Sequence, residues 1–550
     1  MHSHSAVIAG LFVLAIASPA PRVRRQTGTD SSAELLTDIN AIQQYWGQIT
    51  PYADNTEDYF GVADVGLPNG CQVEQAHLLQ RHGSRFPGSA FDDGPNMENF
   101  AEKVANWTRT HTNSSSQFTG NLSFLNSYRY NLGSAYLTGI GAAQSFQSGV
   151  TFWNRYGRIL YNATQGQLAY NATFANGTSR PKLTLRTTSQ SRIENTQISW
   201  TLGFFGPSFQ PTPNPTLGNW TSPFNVVVIP EGGTENNTLA SYDSCFNDNN
   251  DVPGYIGDLD LLSYLSVYLP GAQSRLSQYV PGDFNLTMND TFALQTLCAY
   301  ETNYIGRSDF CTLFTEDEWA GFENALDIEY YYDYSFGNPT ARAQGIGYVQ
   351  ELLARLQNQY ITSSTTSVNS SLTNNSRTFP LGQKLYADFS HDDIIISALT
   401  AASLDYIRDP PSLTQFPPDP NRRFILSHLT PFSARLVTEV IGCGSASPAP
   451  NNASQTQYYA TQYGYTPANA TYKFVRMRLN NGILPLSTIR GGYCGNRTDG
   501  LCPLNAFVSS QEGALGLSNY QYVCFGNYSV EYPNNGTDFD GTLFSGSAGS

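Results

Sequence analysis

Between Val73 and Pro87 the chain changes character within two residues. Val73, Ala76, Leu78 and Leu79 form an apolar run that reads as a short strand. It stops at Arg81-His82-Gly83-Ser84-Arg85-Phe86-Pro87. In an α/β sheet, ligands collect at the carboxyl ends of strands. Gly83 permits a sharp turn or a close backbone approach. Arg81 and Arg85 offer planar donor forks suited to phosphate or carboxylate. His82, between them, can serve as nucleophile, base or ligand. A histidine flanked by arginines is most often part of a solvated loop. The strand before this one, and the fixed offsets of Gly83 and Pro87, argue against that reading.

Two more stretches share the form of a short strand ending in charge. Leu183-Thr184-Leu185 runs into Arg186 to Arg192, and Leu385 to Ser390 runs into His391-Asp392-Asp393. Converging strand ends would gather arginines, two histidines and a carboxylic acid. Phosphoryl transfer needs that mixture: cationic donors for the equatorial oxygens, an in-line nucleophile and an acid for the leaving oxygen. Competing readings are weaker. Asp392 and Asp393 could act only as helix caps, and a metal site lacks companion His or Cys residues. His77, His111 and His428 read as packing or surface histidines, and Arg186 as a candidate structural ion-pair partner.

Around these stretches, Val226–Ile229, Phe432–Ile441 and Tyr472–Leu479 read as further strands. Ser31–Trp46 reads as an amphipathic helix capped by Ser31 or Ser32. Helical patterns begin at Met97, Leu137, Ile193 and Ile394, and dominate from Asp258 to Leu356. Phe91–Asn96 reads as a loop, and Thr362–Ser376, rich in Ser, Thr and Asn, as a flexible linker or surface loop. Strands near both ends with helices between them predict one α/β domain with a helical insertion. The boundaries are 26–205 and 345–540 for the α/β domain, 206–344 for the mainly helical insertion and 541–550 for a flexible tail.

The chain has 550 residues, enough for a large core. Its net charge of −15 argues against nucleic acid as a partner and requires a local basic cluster for any anionic substrate. Ala6–Ala17 is an apolar core too short to span a membrane; with Arg22-Val23-Arg24-Arg25 it predicts a signal peptide and short propeptide over 1–25. Seventeen Asn-x-Ser/Thr acceptors, Asn106, Asn219 and Asn369 among them, predict N-linked glycans. The eight cysteines contain no Cys-x-x-Cys pair, which favours four disulfides in an exported protein over a zinc site. No lipid-anchor signal follows Gly541.

Arg-His-Gly-x-Arg-x-Pro resembles the signature of the histidine acid phosphatases (histidine phosphatase superfamily, branch 2). Leu385–Thr400, opening Leu-Tyr-Ala-Asp-Phe-Ser-His-Asp, is similar to that family's second signature, and Arg186-x5-Arg192 to its middle arginine segment. Val228-Ile229-Pro230-Glu231, Asn236-Asn237-Thr238-Leu239, Gly337-Asn338-Pro339 and Pro503-Leu504-Asn505 resemble the family's fungal phytases. The resemblance runs from about Trp46 to Cys524. It implies a mixed-sheet α/β sandwich, phosphoglycerate mutase-like, with an inserted mainly helical domain. It implies a secreted acid phosphatase without cofactor or metal, acting on phosphate monoesters and, in a phytase-like enzyme, on phytate. His82 would form a phosphohistidine. Arg81, Arg85, Arg192 and His391 would hold the phosphate, and Asp392 would protonate the leaving oxygen. The implied disulfides are Cys71–Cys443, Cys245–Cys524, Cys298–Cys311 and Cys494–Cys502; the last two close short loops and are plausible on spacing alone.

The chain departs from phytate-specialised relatives in two places. The loop Gly88-Ser89-Ala90-Phe91-Asp92-Asp93-Gly94 has no lysine, and Glu329-Tyr330-Tyr331-Tyr332 stands where many such enzymes carry a lysine pair. Both departures predict a broad phosphomonoesterase slower on phytate than on small esters. The rival classes are a phosphoglycerate-mutase-like transferase, a metal phosphatase, and a non-catalytic secreted phosphate-binding or cell-wall glycoprotein.

Overall fold

The structure, a computed structural model, describes residues 34–174, 176–206, 222–249, 252–451 and 461–544. The expected leader, Ser31 and Ser32, Asn219 and residues 545–550 lie outside these.

Among the described residues eight strands build one sheet: β1 Cys71–Arg81, β2 Leu183–Thr188, β3 Phe224–Ile229, β4 Leu385–Ser390, β5 Arg435–Cys443, β6 Tyr472–Leu479, β7 Gly482–Ile483 and β8 Cys502–Pro503. Their order is β3-β2-β4-β1-β5-β6-β7, with β8 also pairing β6. β3, β2, β4 and β1 run parallel, and from β5 onward the pairing is antiparallel. The carboxyl ends of β1, β2 and β4 therefore lie side by side.

Alternation along β1 explains its burial on both faces. Leu78 packs with Phe152, Trp200, Leu185 and Phe389 on one face. Leu79, its neighbour, packs with Leu436 and Ile394 on the other. Helices Gly139–Phe152 and Ser191–Phe205 cover the first face. They come so close that a Cβ on Gly149 would sit 2.0 Å from the Trp200 carbonyl oxygen. Helices Ala341–Leu356 and Asp392–Ala401 cover the second face.

The helical part contains Ile256–Tyr268, Met288–Ile305 and Glu316–Tyr334. The last two start at capping boxes, in which Thr287 and Asp290, and Thr315 and Glu318, satisfy each other's backbone donors. Two observations bear on the expected boundaries. β3 falls inside 206–344 yet pairs with β2 along its length. Pro95–Thr110, from the first segment, packs on Met288–Ile305.

Other local expectations also change. Residues 35–36 bridge to Phe314 and Thr315, so the first helix shortens to Ile39–Ile42, capped by Asp38. The loop expected at Phe91–Asn96 is a helical turn, Phe91–Asp93, followed by a helix beginning at Pro95, whose ring suits a first helical position. Thr362–Ser376 contains the short helix Ser370–Thr373 and buries Thr366, Ser367 and Val368; the Asn236 amide donates to the Thr366 carbonyl at 2.9 Å. Its low complexity reflects local caps, such as Asn369 on Ser371, rather than a free linker.

Four disulfides join Cys71–Cys443, Cys245–Cys524, Cys298–Cys311 and Cys494–Cys502. Cys71 and Cys443 are opposite each other in the β1–β5 ladder. Among the described residues no helix is long and apolar enough to cross a membrane.

Candidate active site

His82 follows β1 directly. Its N–H donates to the Ser390 carbonyl at the end of β4 (3.2 Å), and its carbonyl accepts from the Ser433 N–H ahead of β5 (2.8 Å). The next N–H, of Gly83, donates to Thr196 Oγ1 at 3.1 Å. Gly83 must lack a side chain: a Cβ there would sit 2.2 Å from the Gly141 carbonyl oxygen of the covering helix.

The imidazole of His82 is 1% exposed. Its Nδ1 lies 2.8 Å from the Gly83 carbonyl oxygen. A carbonyl can only accept, so Nδ1 carries the proton and Nε2 keeps its lone pair. Burial, then the positive charges of Arg81, Arg192 and Arg85, hold its pKa well below the usual 6.5. Both effects favour the neutral imidazole.

Three guanidinium groups surround it in different states. Arg81 donates to the carbonyls of Gln48 and Thr430, pairs with Asp392 at 2.7 Å, and lies 4.6 Å from the Phe432 ring centroid. Arg85 pairs with Asp93 at 2.8 Å. Arg192, in the first turn of Ser191–Phe205, makes no ion pair or side-chain hydrogen bond among the described residues. Burial, and next the nearby Arg85, push its pKa down. Arg192 is therefore the cation with its charge free for a ligand.

The end of β4 supplies the other half of the site. His391 is the N-cap of Asp392–Ala401, and its ring stands nearly perpendicular to that of His82, with centroids 6.0 Å apart. Its Nε2 lies 3.0 Å from Glu231 Oε1 and 3.3 Å from the Tyr242 hydroxyl. Burial works against an ionised Glu231, but the hydrogen bond and electrostatic attraction of His391, together with further hydrogen bonds such as that from Tyr242, outweigh it and bring the pKa to about 2. Asp392 Oδ2 accepts from the Tyr330 hydroxyl at 2.7 Å and is ion-paired with Arg81. Burial raises the Asp392 pKa, and Arg81 with the Tyr330 hydrogen bond more than reverses that. Among the described residues its neighbour Asp393 has no such partner; burial raises it to about 7.

His82, Arg81, Arg85, Arg192, His391 and Asp392 thus meet where β1, β2 and β4 end. Arg186 does not join them. It lies inside β2 rather than in the loop after it, with its side chain on Asp388 and Glu351 at 2.8 Å each. Asp388 is shared with Arg355 at 2.7 Å. This is a buried ion network under helix Ala341–Leu356. The sequence reading missed roles for Glu231, Tyr242, Asp93 and Tyr330. Glu231 carries the signal that marked the other stretches, a charged residue just past a strand end. Among the described residues no group of three or more His, Cys, Asp or Glu is arranged to hold a metal ion.

Residues 72–480 match the family model of the histidine phosphatase superfamily (branch 2). The chain belongs to that family. It is 30% identical over 429 residues to Phytase A of Aspergillus oryzae, covering 76% of this chain and 83% of the relative. To Phytase A of Aspergillus fumigatus it is 28% identical over 488 residues, 87% of this chain and 90% of the relative. The fold resembles the crystal structure of the phytase from D. castellii, with a TM-score of 0.65 at 22% identity over 90% of this chain and 94% of that one. This histidine phosphatase is therefore built on the fold that its two signatures imply.

Proposed function

We propose that this chain is an exported acid phosphomonoesterase that works through a phosphohistidine on His82, with inositol polyphosphates within its substrate range. The observation that carries the reading is the setting of His82, its Nδ1 committed to the Gly83 carbonyl at 2.8 Å and its Nε2 left to act beside Arg81, Arg85 and Arg192.

The substrate phosphate binds Arg192 first and draws the forks of Arg81 and Arg85 away from Asp392 and Asp93; His391 adds a hydrogen bond. His82 Nε2 attacks phosphorus and the ester P–O bond breaks. Asp392 gives its proton to the leaving oxygen. Unliganded Asp392 is held ionised by Arg81. An arriving phosphate competes for that arginine and adds negative charge, so it raises the Asp392 pKa and loads the acid. Water then attacks the phosphohistidine, the P–N bond breaks, and Asp392 takes a proton from that water. The nucleophile works neutral and the acid works protonated, which sets operation on the acid side of neutrality.

The domain reading becomes a sheet-centred catalytic unit with a helical part drawn after β3 and joined by Pro95–Thr110. Export rests on the apolar leader sequence, the four disulfides and the acceptor asparagines. Of fifteen acceptors within the described residues, fourteen are exposed and Asn369 is half-buried, which suits glycan attachment. Small esters are favoured over phytate because the residues replacing lysines turn inward: Asp93 neutralises Arg85, and Tyr330 binds Asp392.

The test is phosphate release from an aryl phosphate and from phytate across acid to neutral pH, with a chelator present. Wild type hydrolyses both, with the higher kcat/KM on the aryl ester, and His82→Ala loses about 10³-fold or more. Unchanged activity in His82→Ala removes the phosphohistidine; a higher kcat/KM on phytate removes the stated preference. Asp392→Asn should lose about 10²-fold on alkyl phosphates and much less on an aryl phosphate, whose leaving group needs no proton.

A further inference from the structure

Beside β5, on the face covered by Gly139–Phe152, is a cavity of ≈ 20 Å³ lined by Tyr52, Arg155, Arg435, Arg478 and Asn481 among others. Arg435 is 7% exposed. Its guanidinium carbon lies 3.7 Å from the centroid of the Tyr52 ring, and its Nε is buried with no partner. Among the described residues that guanidinium makes no hydrogen bond and no ion pair.

The charges around it are otherwise matched. Arg155 pairs with Asp54, Arg478 with Glu57 and Glu439, and Arg476 with Glu439. Four guanidinium groups thus face three carboxylates, and the surplus charge is on Arg435. An arginine does not shed its proton in a protein, so a buried one calls for a counter-charge.

We propose that this cavity is a binding site for one small monovalent anion of halide size, chloride under ordinary conditions. Volume selects the class. About 10–15 Å³ holds a single water-sized particle, so the cavity takes one such particle and excludes tetrahedral phosphate, the reaction's own product. The fixed charge of Arg435 selects an anion over water. The site also has a mechanical link to catalysis. Arg435 is opposite Gln80 in the β1–β5 ladder, and Ser433, two residues earlier, holds the His82 carbonyl. Filling the site neutralises the charge at the start of β5 and stabilises the strand pair that carries the nucleophile, without touching a reacting atom.

The experiment compares melting in sodium chloride and in sodium gluconate at equal ionic strength, gluconate being too large to enter. Chloride should raise the Tm of wild type saturably, by on the order of 1 °C, and should have no such effect on Arg435→Gln. Retained hydrolysis of an aryl phosphate shows that the variant is folded. Crystals of the wild-type protein soaked in bromide supply a second readout if it is not: an anomalous peak beside Arg435 establishes the site. Density there that bromide does not replace, or equal melting in both salts, overturns the proposal.

Discussion

Asp392 is held ionised by two neighbours, the charge of Arg81 and the hydroxyl of Tyr330. Substrate competes for the first and leaves the second. Tyr330→Phe removes a hydrogen bond to the ionised form, so the Asp392 pKa rises. The alkaline limb of the kcat–pH profile, which requires protonated Asp392, should move up by about 0.5–1 pH unit; a pH series on one aryl phosphate checks it. Asp93→Asn should free Arg85 for the ligand and tighten competitive inhibition by inorganic phosphate, by about tenfold at most, since a rearranged ion pair of this kind carries about 1 kcal/mol. The residues that meet at the candidate site were legible because they fall in three short stretches that each end a strand. Tyr330 was not. Three tyrosines in a row are equivalent in sequence, and the phase of helix Glu316–Tyr334 alone decides that Tyr330 meets Asp392, whereas the Tyr331 hydroxyl donates to the Arg408 carbonyl.

The pairing of β2 with β4 depends on a buried charge. Arg186 and Asp388 are register partners in the ladder and pair through their side chains, and Arg355 and Glu351 join them from the helix above. Asp388→Asn would leave two arginines against one glutamate in a dry layer. It should cost about 3–5 kcal/mol, read as a lowered denaturant midpoint with an unchanged m-value. The same layer explains why strand ends were misjudged. The apolar signal of β2 stops at Leu185, yet the strand continues to Thr188, because Arg186 faces Asp388 and Glu351 instead of grease. Hydrophobic alternation shows one face of such a strand and is silent about a face satisfied by ions. Strand existence was legible at every long strand; β7 and β8, of two residues each, are too short to carry a pattern.

Across the molecule, several carboxyl groups fold into places that favour the proton. Burial raises Asp248 to about 7 and Asp260 to about 6. The unfolded chain releases these protons above the ordinary value of 3.8 while the folded chain retains them. The folded state therefore binds more protons, and stability from these groups falls as pH rises from about 4 to about 7. His77 and His82, buried neutral, act in the opposite direction below 6.5. Asp248→Asn isolates the acid contribution: its Asn side chain can still accept from Thr340 and Gln344, and its unfolding free energy, read by denaturant titration, should gain on wild type steadily between pH 4 and 7, by on the order of 1–3 kcal/mol at the upper end. The order of strands has a further consequence, in time. β1 ends at residue 81, and its two neighbours begin only at residues 385 and 435. A ribosome adding 5–20 residues per second needs about 15–60 s to make the roughly 300 residues from β1 to β4. Through that interval the strand leading to His82 has no partner on either side. A phosphate-stripping site so wired cannot assemble on a half-made chain, and a chain cut short before β5 never assembles it.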